Sequence, residues 1–469
     1  MPIVWDFVEA NPIHGKLSYS VAADWVARAL DAVPGHCSPA RAIQPDARKA
    51  PPGFHARPVV STDPPYYDSI GYADLSDFFY TRLRSVLKHI DPQTFATLLT
   101  PKELELIASP HRHNGSYEAA ERHFREGFAL AFKTIHRIAN DEVPLTVYYA
   151  FKQQEDEEEV EEHGVQRAST GWETMLEGPV AAGFQIMGTW PVRTTKKARC
   201  VARGTNALAS AVVLVARQRQ ANAGMATRKE FTTELKKELP SAITALTQAS
   251  VAPVDLAQAS IGPGMAVFTR YAKVLEADGS PMSVRTALQI INQELDAYLA
   301  AQEGEMDADT RFCLAWFEQY GMNEGAFGEA DVLARAKNTS VQGLVEAGVL
   351  SARAGKVRLL KRTEYEKDWD PARDRRLTVW ECTQHLIRLL DTKGEEGAAM
   401  LCARLGGSRS EGAQALAYRL YSICERKGWA EEARAYNALV VSRPAIQERV
   451  GRLAASGRQG ELFETRDGP

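Results

Sequence analysis

The chain has 469 residues and nearly balanced charge, with 56 Lys and Arg against 60 Asp and Glu, for a formal net charge of −4. Because one hydrophobic core usually organises about 100–200 residues, this length excludes a single small domain. The charge balance excludes a uniformly basic protein, but it leaves room for a local basic face that binds nucleic acid.

Cysteine spacing and hydropathy narrow the class further. The six cysteines form no C-x-x-C pair, so neither a zinc site nor a disulfide framework is indicated, and we expect no bound metal. No apolar run approaches the roughly 20 residues that span a bilayer, and the amino terminus lacks the basic and apolar regions of a signal peptide. The sequence therefore predicts a cytoplasmic protein without a membrane partner.

The first predicted region, residues 1–58, combines a short apolar segment with a connector. The apolar segment covers residues 3–8, and a helix is predicted over 22–33. Residues 34–58 are rich in proline and poor in apolar side chains, so they are expected to form a connector and not a core.

The second region, residues 59–217, alternates strands with helices. This alternation favours an α/β fold with a parallel sheet and crossover connections. The predicted elements are strand 59–62, helix 75–88, helix 117–139, strand 145–150, helix 171–182 and strands 184–189 and 208–216. An acidic block at 155–159 is expected to be a solvated insertion that faces away from any nucleic acid.

Beyond residue 217 the pattern becomes mainly helical. We expect a helical domain at 218–330, a distinct element at 331–365 and a helical region at 366–469. The predicted helices are 283–303, 310–320, 376–391, 395–405 and 411–426.

The element at 331–365 interrupts this helical pattern. A helical stretch leads into two short strands with a tight turn at Ala354-Gly355-Lys356. A helix followed by a hairpin that carries Arg353, Lys356 and Arg358 resembles a winged-helix element, which would place cations near a duplex. A role in protein interaction fits the same pattern equally well.

The most informative motif is Asp63-Pro64-Pro65-Tyr66, at the end of the first predicted strand of the sheet. The Asp63 carboxylate and the Pro64 carbonyl could each accept one N–H of an exocyclic amine, which localises the lone pair on its nitrogen. The two prolines would stiffen the loop and keep both acceptors aimed, and Tyr66 could stack on a flipped base.

Packing offers a simpler interpretation of the same residues. A strand that ends in Asp-Pro-Pro is also a turn signal, and tyrosines often cover the edge of a core. Tyr67 and Tyr72 are weaker candidates for lining a base pocket, and burial as packing residues is the stronger expectation for both.

Longer stretches around this motif resemble a known family. The segment VVSTDPPYYDSIGYADLSDFFY (59–80) is similar to the catalytic loop of amino-methylating DNA methyltransferases. It most resembles a family of large bacterial adenine-specific DNA methylases, known mainly as a domain of unknown function in anti-phage islands. The likeness continues through MPIVWDFVEANP, residues 204–218, residues 255–275 and the carboxyl-terminal helices. It implies a partial Rossmann-like methyltransferase sheet, closed by an antiparallel pair formed by strands 184–189 and 208–216.

One expected part of such an enzyme is missing. Members of this family carry, in an upstream half, a glycine-bearing loop that binds S-adenosylmethionine, and this chain has no such loop. The nearest candidates, Gly262-Pro263-Gly264 and Gly406-Gly407, follow no strand-like run and are expected to punctuate helices. The chain therefore resembles the carboxyl-terminal half of a methyltransferase that a partner chain, or a missing half, supplies with cofactor.

A basic cluster lies between the last two predicted strands of the sheet. It consists of Arg193, Lys196, Lys197, Arg199 and Arg203. At the same end of the sheet as the motif, these cations could grip the DNA backbone on either side of a flipped base. A solvated hairpin loop is the alternative.

These observations predict S-adenosylmethionine-dependent methylation of adenine N6 in DNA by direct in-line displacement. Cytosine N4 stays open as the target, because the same acceptors would hold either amine. The alternative from another class is a non-catalytic DNA-binding or scaffold subunit that acts with other proteins of an anti-phage defence complex.

Overall fold

The computed structural model of the chain describes residues 13, 15, 18–33, 43–51, 57–67, 70–149, 170–193 and 210–464. The chain divides into two compact units, Met1–Asp46 and Ala47–Pro469. In the first unit, helix α1 (Tyr19–Asp31) occupies the position that the sequence predicts, and none of its side chains is buried.

Four strands of the second unit form a mixed sheet in the order β1-β2-β4-β3. They are β1 (Ser61–Thr62), β2 (Leu145–Tyr149), β3 (Phe184–Arg193) and β4 (Ser210–Gln218). β1 and β2 are parallel, whereas β4 is antiparallel to both of its neighbours. The predicted antiparallel pair of the last two strands is therefore confirmed, and the mixed α/β class of this region is confirmed with it.

Three helices connect these strands: α2 (Tyr72–Leu87), α3 (Tyr117–Ile138) and α4 (Thr170–Ala181). α3 begins where the Ser116 side chain accepts the N–H of Ala119, a usual N-cap interaction. Its buried Phe124, Phe128 and Phe132 are spaced four residues apart, so they line one face of the helix. This face belongs to the same core as the buried, alternating side chains of β2.

The next segment joins the sheet region to the carboxyl-terminal helices. It contains β5 (Met225–Thr227), α5 (Arg228–Gln248), α6 (Pro253–Thr269), β6 (Lys273–Leu275) and α7 (Val284–Ala301). α5 begins with a capping box in which Thr227 and Glu230 satisfy each other's backbone N–H. α6 is buried along nearly its whole length.

A helix–hairpin segment follows at residues 308–359. It contains α8 (Ala308–Tyr320), β7 (Gly325–Ala326), α9 (Phe327–Ala336), α10 (Val341–Glu346), β8 (Leu350–Arg353) and β9 (Lys356–Leu359). The three strands pair in the order β7-β9-β8. The hairpin turn falls where the sequence predicts it. Ala354 and Gly355 both have the positive φ values that such a tight turn requires, 50° and 75°. The helical stretch predicted before this hairpin is two helices, α9 and α10, with a turn after Ala336.

Three long helices end the described chain: α11 (Val379–Leu405), α12 (Gly407–Lys427) and α13 (Ala430–Glu464). α11 contains a kink at Gly394, whose φ of 66° is not helical, between the two helices predicted there. The helical character of the carboxyl-terminal region is thus confirmed. None of the helices in the described ranges has both the length and the apolar character that crossing a bilayer requires.

A candidate active-site corner at the end of the first strand

The Asp63 motif lies where β1 leaves the sheet. β1 pairs with β2 in parallel, with Ser61 opposite Thr146, and the N–H of Thr146 donates to the carbonyl oxygen of Val60 at 3.1 Å. Asp63, the first residue after β1, is exposed, while Pro64, Pro65 and Tyr66 are half-buried. The acidic corner is therefore accessible and lies at the carboxyl end of a parallel strand, where α/β folds usually bind their ligands.

Tyr66 packs against the end of β2 and lies close to Asp63. Its ring is nearly perpendicular to that of Tyr149, the buried last residue of β2, with ring centroids 5.3 Å apart. Burial and the nearby Asp63 carboxylate raise the pKa of Tyr66 to about 12. The phenol is therefore neutral at physiological pH.

The structure separates the other two tyrosines. Tyr67 has a φ of 47°, packs against Phe124 with ring centroids 5.3 Å apart, and accepts the N–H of Ala108 at 2.9 Å through its carbonyl. Tyr67 is thus a packing residue in this structure. Tyr72, at the start of α2, is 47 % exposed and close enough to Tyr66 to contribute to its raised pKa.

The predicted basic cluster lies almost entirely outside the described residues. Arg193 ends β3, but its side chain, and residues Lys196, Lys197, Arg199 and Arg203, lie outside the described residues. The acidic block at 155–159 lies outside them as well. Phosphate contact by the cluster therefore stays a prediction.

The two glycine pairs are parts of helices and do not form a cofactor loop. Gly262 and Gly264 lie inside α6, where a methyl group at Gly262 would overlap Thr189 of β3 and one at Gly264 would overlap Ile291. Gly406 and Gly407 form the junction of α11 and α12. In the described ranges, neither pair follows a parallel strand, so these residues do not fit the role of an S-adenosylmethionine loop.

The predicted cations of the helix–hairpin segment are mostly engaged within the protein. Arg358 forms a bidentate pair with Glu364 at 2.7 and 2.6 Å, and Lys356 lies 3.3 Å from Glu324. Arg353 is exposed at the turn. The helix just before the hairpin, α10, has the sequence VQGLVE and carries no cation.

A buried polar cluster that the sequence did not predict lies near the start of α11. Glu381 is 4 % exposed, and burial together with the nearby Asp374 carboxylate raises its pKa to about 9. His385 is 1 % exposed and stacks on Trp369 at a centroid distance of 4.0 Å, and burial lowers its pKa to about 3. Both groups are therefore neutral near pH 7.

This cluster lies in the same region as an open groove of about 370 Å³, which Asp307, Asp309, Asp374, Arg376 and Arg409 help to line. Across the groove wall, Arg376 donates to both carboxylate oxygens of Asp309, at 2.7 and 2.9 Å. Arg376 therefore neutralises Asp309, and this ion pair links α8 to the segment before α11. No sequence motif marks these residues, because only burial distinguishes them from ordinary helix positions.

Comparison with known proteins bears on the carboxyl-terminal part of the chain. Residues 307–462 match a family model described as a domain of unknown function (DUF8807). The match begins just before α8 and ends within α13, so it includes the helix–hairpin segment and the three long helices, whereas the Asp63 corner lies outside it. No curated protein and no solved structure matches the chain.

Proposed function

We propose that this chain is the amine-binding component of an S-adenosylmethionine-dependent DNA methyltransferase that acts on N6 of adenine. Asp63 and the Pro64 carbonyl accept the two N–H groups of the amine, Pro65 keeps the loop rigid, and Tyr66 holds the extruded base. Cytosine N4 offers the same two N–H groups and is the second possible target.

The observation that carries the proposal is the accessibility of Asp63. An acceptor for a substrate amine must be reachable from solvent, and Asp63 is exposed although its neighbours on both sides are half-buried. The backbone before it is held by β2, and the ring after it is held by Tyr149. A rigid loop with one open carboxylate is the arrangement that preorganised binding of an amine needs.

The topology of the sheet supports the same proposal. Two parallel strands followed by an antiparallel pair suit the second half of a Rossmann-like methyltransferase sheet, with the corner at the end of its first strand. The helix–hairpin segment, with its β7-β9-β8 sheet, suits a winged-helix element. Contact with DNA would come from the basic cluster at 193–203 in this proposal.

The cofactor would be held by a partner chain or by a missing half, because the two glycine pairs do not fit it. We therefore assign to this chain the binding and orientation of the target base and nothing of the methyl donor. The amino group needs no strong base for this role, since the two acceptors localise its lone pair before transfer.

The test is methylation of unmethylated DNA with labelled S-adenosylmethionine, by the chain together with the product of a neighbouring reading frame that carries a glycine-bearing loop. The proposal predicts labelled N6-methyladenine, detected by mass spectrometry. Asp63→Ala should lower the rate by roughly 10²–10³-fold, as removal of one preorganised hydrogen-bonding group does elsewhere. The matched control is Asp391→Ala, which removes an exposed carboxylate from α11 and should leave the rate unchanged.

Tyr66 provides a second readout within the same assay. Tyr66→Phe keeps the ring and should retain most of the activity, whereas Tyr66→Ala removes a stacking surface worth about 1–3 kcal/mol per base. Rates that do not respond to Asp63→Ala, or no methylation at all with the glycine-loop chain, would overturn the proposal.

A scaffold subunit of a defence complex is the second candidate. The observation in its favour is the helix–hairpin segment, where Arg358 and Lys356 are paired with carboxylates and α10 carries no cation. Such a face suits a protein partner better than a DNA groove. This candidate predicts complex formation without methylation and indifference to Asp63→Ala.

A further inference from the structure

The open groove beside α8 is lined by two arginines that are not used within the protein. Arg375 lies in the segment before α11 and Arg409 in the first turn of α12, and both residues are exposed. Among the described residues, neither makes a hydrogen bond or an ion pair. All residues that line the groove fall within 307–462, so this surface belongs to the matched domain and is separate in sequence from the Asp63 corner.

One carboxylate of the groove, that of Asp307, is occupied by two helix N-termini. Asp307 is the N-cap of α8, and its two oxygens accept the N–H of Thr310 at 2.7 Å and the N–H of Val379, the first residue of α11, at 3.1 Å. Since the N-terminus of a helix carries a partial charge of roughly +0.5, the ends of α8 and α11 together offset the charge of this carboxylate. Asp307 therefore adds little negative potential to the groove.

The other two carboxylates are also engaged. Asp309 receives two hydrogen bonds from the guanidinium of Arg376, at 2.7 and 2.9 Å. Asp374 accepts the Nε1–H of Trp369 at 3.0 Å and the backbone N–H of Arg376 at 2.8 Å, one on each oxygen. Glu381, close to Asp374, adds no charge near pH 7 because its burial raises its pKa to about 9. Every carboxylate oxygen of the groove thus accepts a hydrogen bond from the protein itself.

Helix α12 adds a further positive end to the groove. It begins after Gly406, which has no side chain to cap the first N–H groups, and its first turn contains no acidic residue. Arg409 belongs to that turn and lines the groove, so the start of α12 lies beside it. With Asp309 and Asp307 neutralised, one carboxylate, that of Asp374, is set against two unpaired arginines and this helix end. The groove is therefore positive on balance.

We propose that this groove binds a phosphate group, which Arg375 and Arg409 hold from two sides. The planar fork of a guanidinium matches phosphate oxygens in pairs, and a phosphate group offers more acceptor oxygens than a carboxylate does. Uncapped helix N-termini favour the same ligand. Exposed Asn338, in the turn between α9 and α10, adds an amide donor to the lining. The phosphate of a free nucleotide and that of a nucleic-acid strand present this same chemistry.

The experiment titrates the full chain by calorimetry with inorganic pyrophosphate, a deoxynucleoside triphosphate and a short oligothymidylate. Thymidine, which has no phosphate, is the matched ligand control. Phosphate-bearing probes should bind with an affinity that falls as salt rises, and thymidine should not bind. Arg375→Gln and Arg409→Gln should each weaken binding about 10-fold, and the double substitution about 100-fold, because each removes charge-assisted hydrogen bonds.

Arg373→Gln is the matched control variant. It removes the same charge two positions from Arg375, but the side chain of Arg373 is 89 % exposed and does not line the groove. Its affinity for every probe should equal that of the unsubstituted chain. Because Arg375 and Arg409 are exposed, their variants should also unfold at the same temperature as the unsubstituted chain, which separates lost binding from lost structure.

The outcomes distinguish the source of the phosphate. Tighter binding of the oligothymidylate than of the triphosphate would assign the groove to a strand, and the reverse order would assign it to a free nucleotide; both support the proposal. Absence of binding by every phosphate probe, binding that the double substitution does not weaken, equal weakening by Arg373→Gln, or tighter binding of an acidic peptide would overturn it.

This inference does not depend on methyl transfer. Asp63→Ala, which tests the proposed function, should bind every phosphate probe as the unsubstituted chain does. Loss of methylation with intact phosphate binding, or the converse, therefore shows which of the two proposals has failed.

Discussion

The two edges of the four-stranded sheet are finished in different ways. At the β3 edge, α6 lies so close that Gly262 contacts Thr189, and the backbone N–H of Ile186 donates to the Thr269 hydroxyl at 2.8 Å. At the β1 edge, the following helix α2 buries Tyr80 and exposes its apolar face. Among the described residues, this chain's own helix covers the β3 edge, whereas β1 pairs with β2 alone.

The two edges differ in how much apolar surface is buried beside them. Apolar side chains gain about 25 cal/mol for each Å² that they remove from water, so a stripe of exposed Phe, Leu and Val forgoes a large stabilisation. The side chains of α6 beside the β3 edge are buried and gain this stabilisation, whereas the exposed apolar side chains of α2 do not. The β1 edge is also the one that ends next to Asp63.

Truncation of a phenylalanine on each side gives the largest expected contrast. Phe268 of α6 is 6 % exposed and packs against Phe231 with ring centroids 5.5 Å apart, so Phe268→Ala should destabilise the protein by about 3–5 kcal/mol. Phe79 of α2 is 64 % exposed, and Phe79→Ala should stay within about 0.5 kcal/mol. Chemical denaturation measures both; similar losses for the two variants would contradict the contrast.

Glycine substitutions sharpen the description of the β3 edge. Gly262→Ala should cost about 1–3 kcal/mol, because its methyl group would overlap both the side chain and the backbone nitrogen of Thr189. Gly451→Ala is the control: Gly451 lies in α13, and a methyl group there meets nothing within 4 Å. That control should gain about 0.5–1 kcal/mol, since alanine favours a helix over glycine. A neutral Gly262→Ala would mean that α6 can move away from β3.

Acid should loosen α2 before α6. Hydrogen bonds from Lys102 and Thr100 lower the pKa of Asp77 from 3.8 to about 2. The carboxylate therefore favours the folded contact above pH 3.8, and this contribution is lost as the pH falls from 3.8 towards 2. The residues that α6 buries are mostly apolar.

Pepsin, which cuts at Phe and Leu and is active in acid, provides the measurement for that order. Cleavage within 72–87 should rise between pH 4 and pH 2 and should precede cleavage within 253–269. Asp77→Asn should make α2 susceptible already at pH 4. Earlier cleavage of α6 would show that the polar contacts of α2 are not its weak point.

Elements with strong local patterns were predictable to within a few residues. Helix α3 was expected at 117–139 and spans Tyr117–Ile138, and β2 was expected at 145–150 and spans Leu145–Tyr149. Their spacing of apolar residues records which face is buried, and that spacing is local. β1 was expected over four residues and forms a ladder over two, because its extent depends on the strand that pairs with it.

The sequence predicted which residues form the candidate site, but not which residues pack around them. The order Asp63-Pro64-Pro65-Tyr66 can be read directly, and its position at a strand end is confirmed. The contact of Tyr66 with Tyr149 joins positions 83 residues apart, by their numbers in the chain. Glu381 and His385, which are both buried, looked like ordinary polar positions, because a polar side chain carries no sequence mark of its burial.

The sequence by itself determined the order of strands and helices, the turn at Ala354-Gly355 and the acidic corner, since each depends on neighbouring residues and backbone preferences. The tertiary structure alone decided which face of α2 is exposed. That helix has one polar and one apolar face, so its sequence alone does not say which face packs inward. The ion pairs from Lys102 and Arg112 hold its polar face against the rest of the protein. Burial is a property of the partners that a surface meets, so only the assembled fold could show that this apolar face meets none within the described chain.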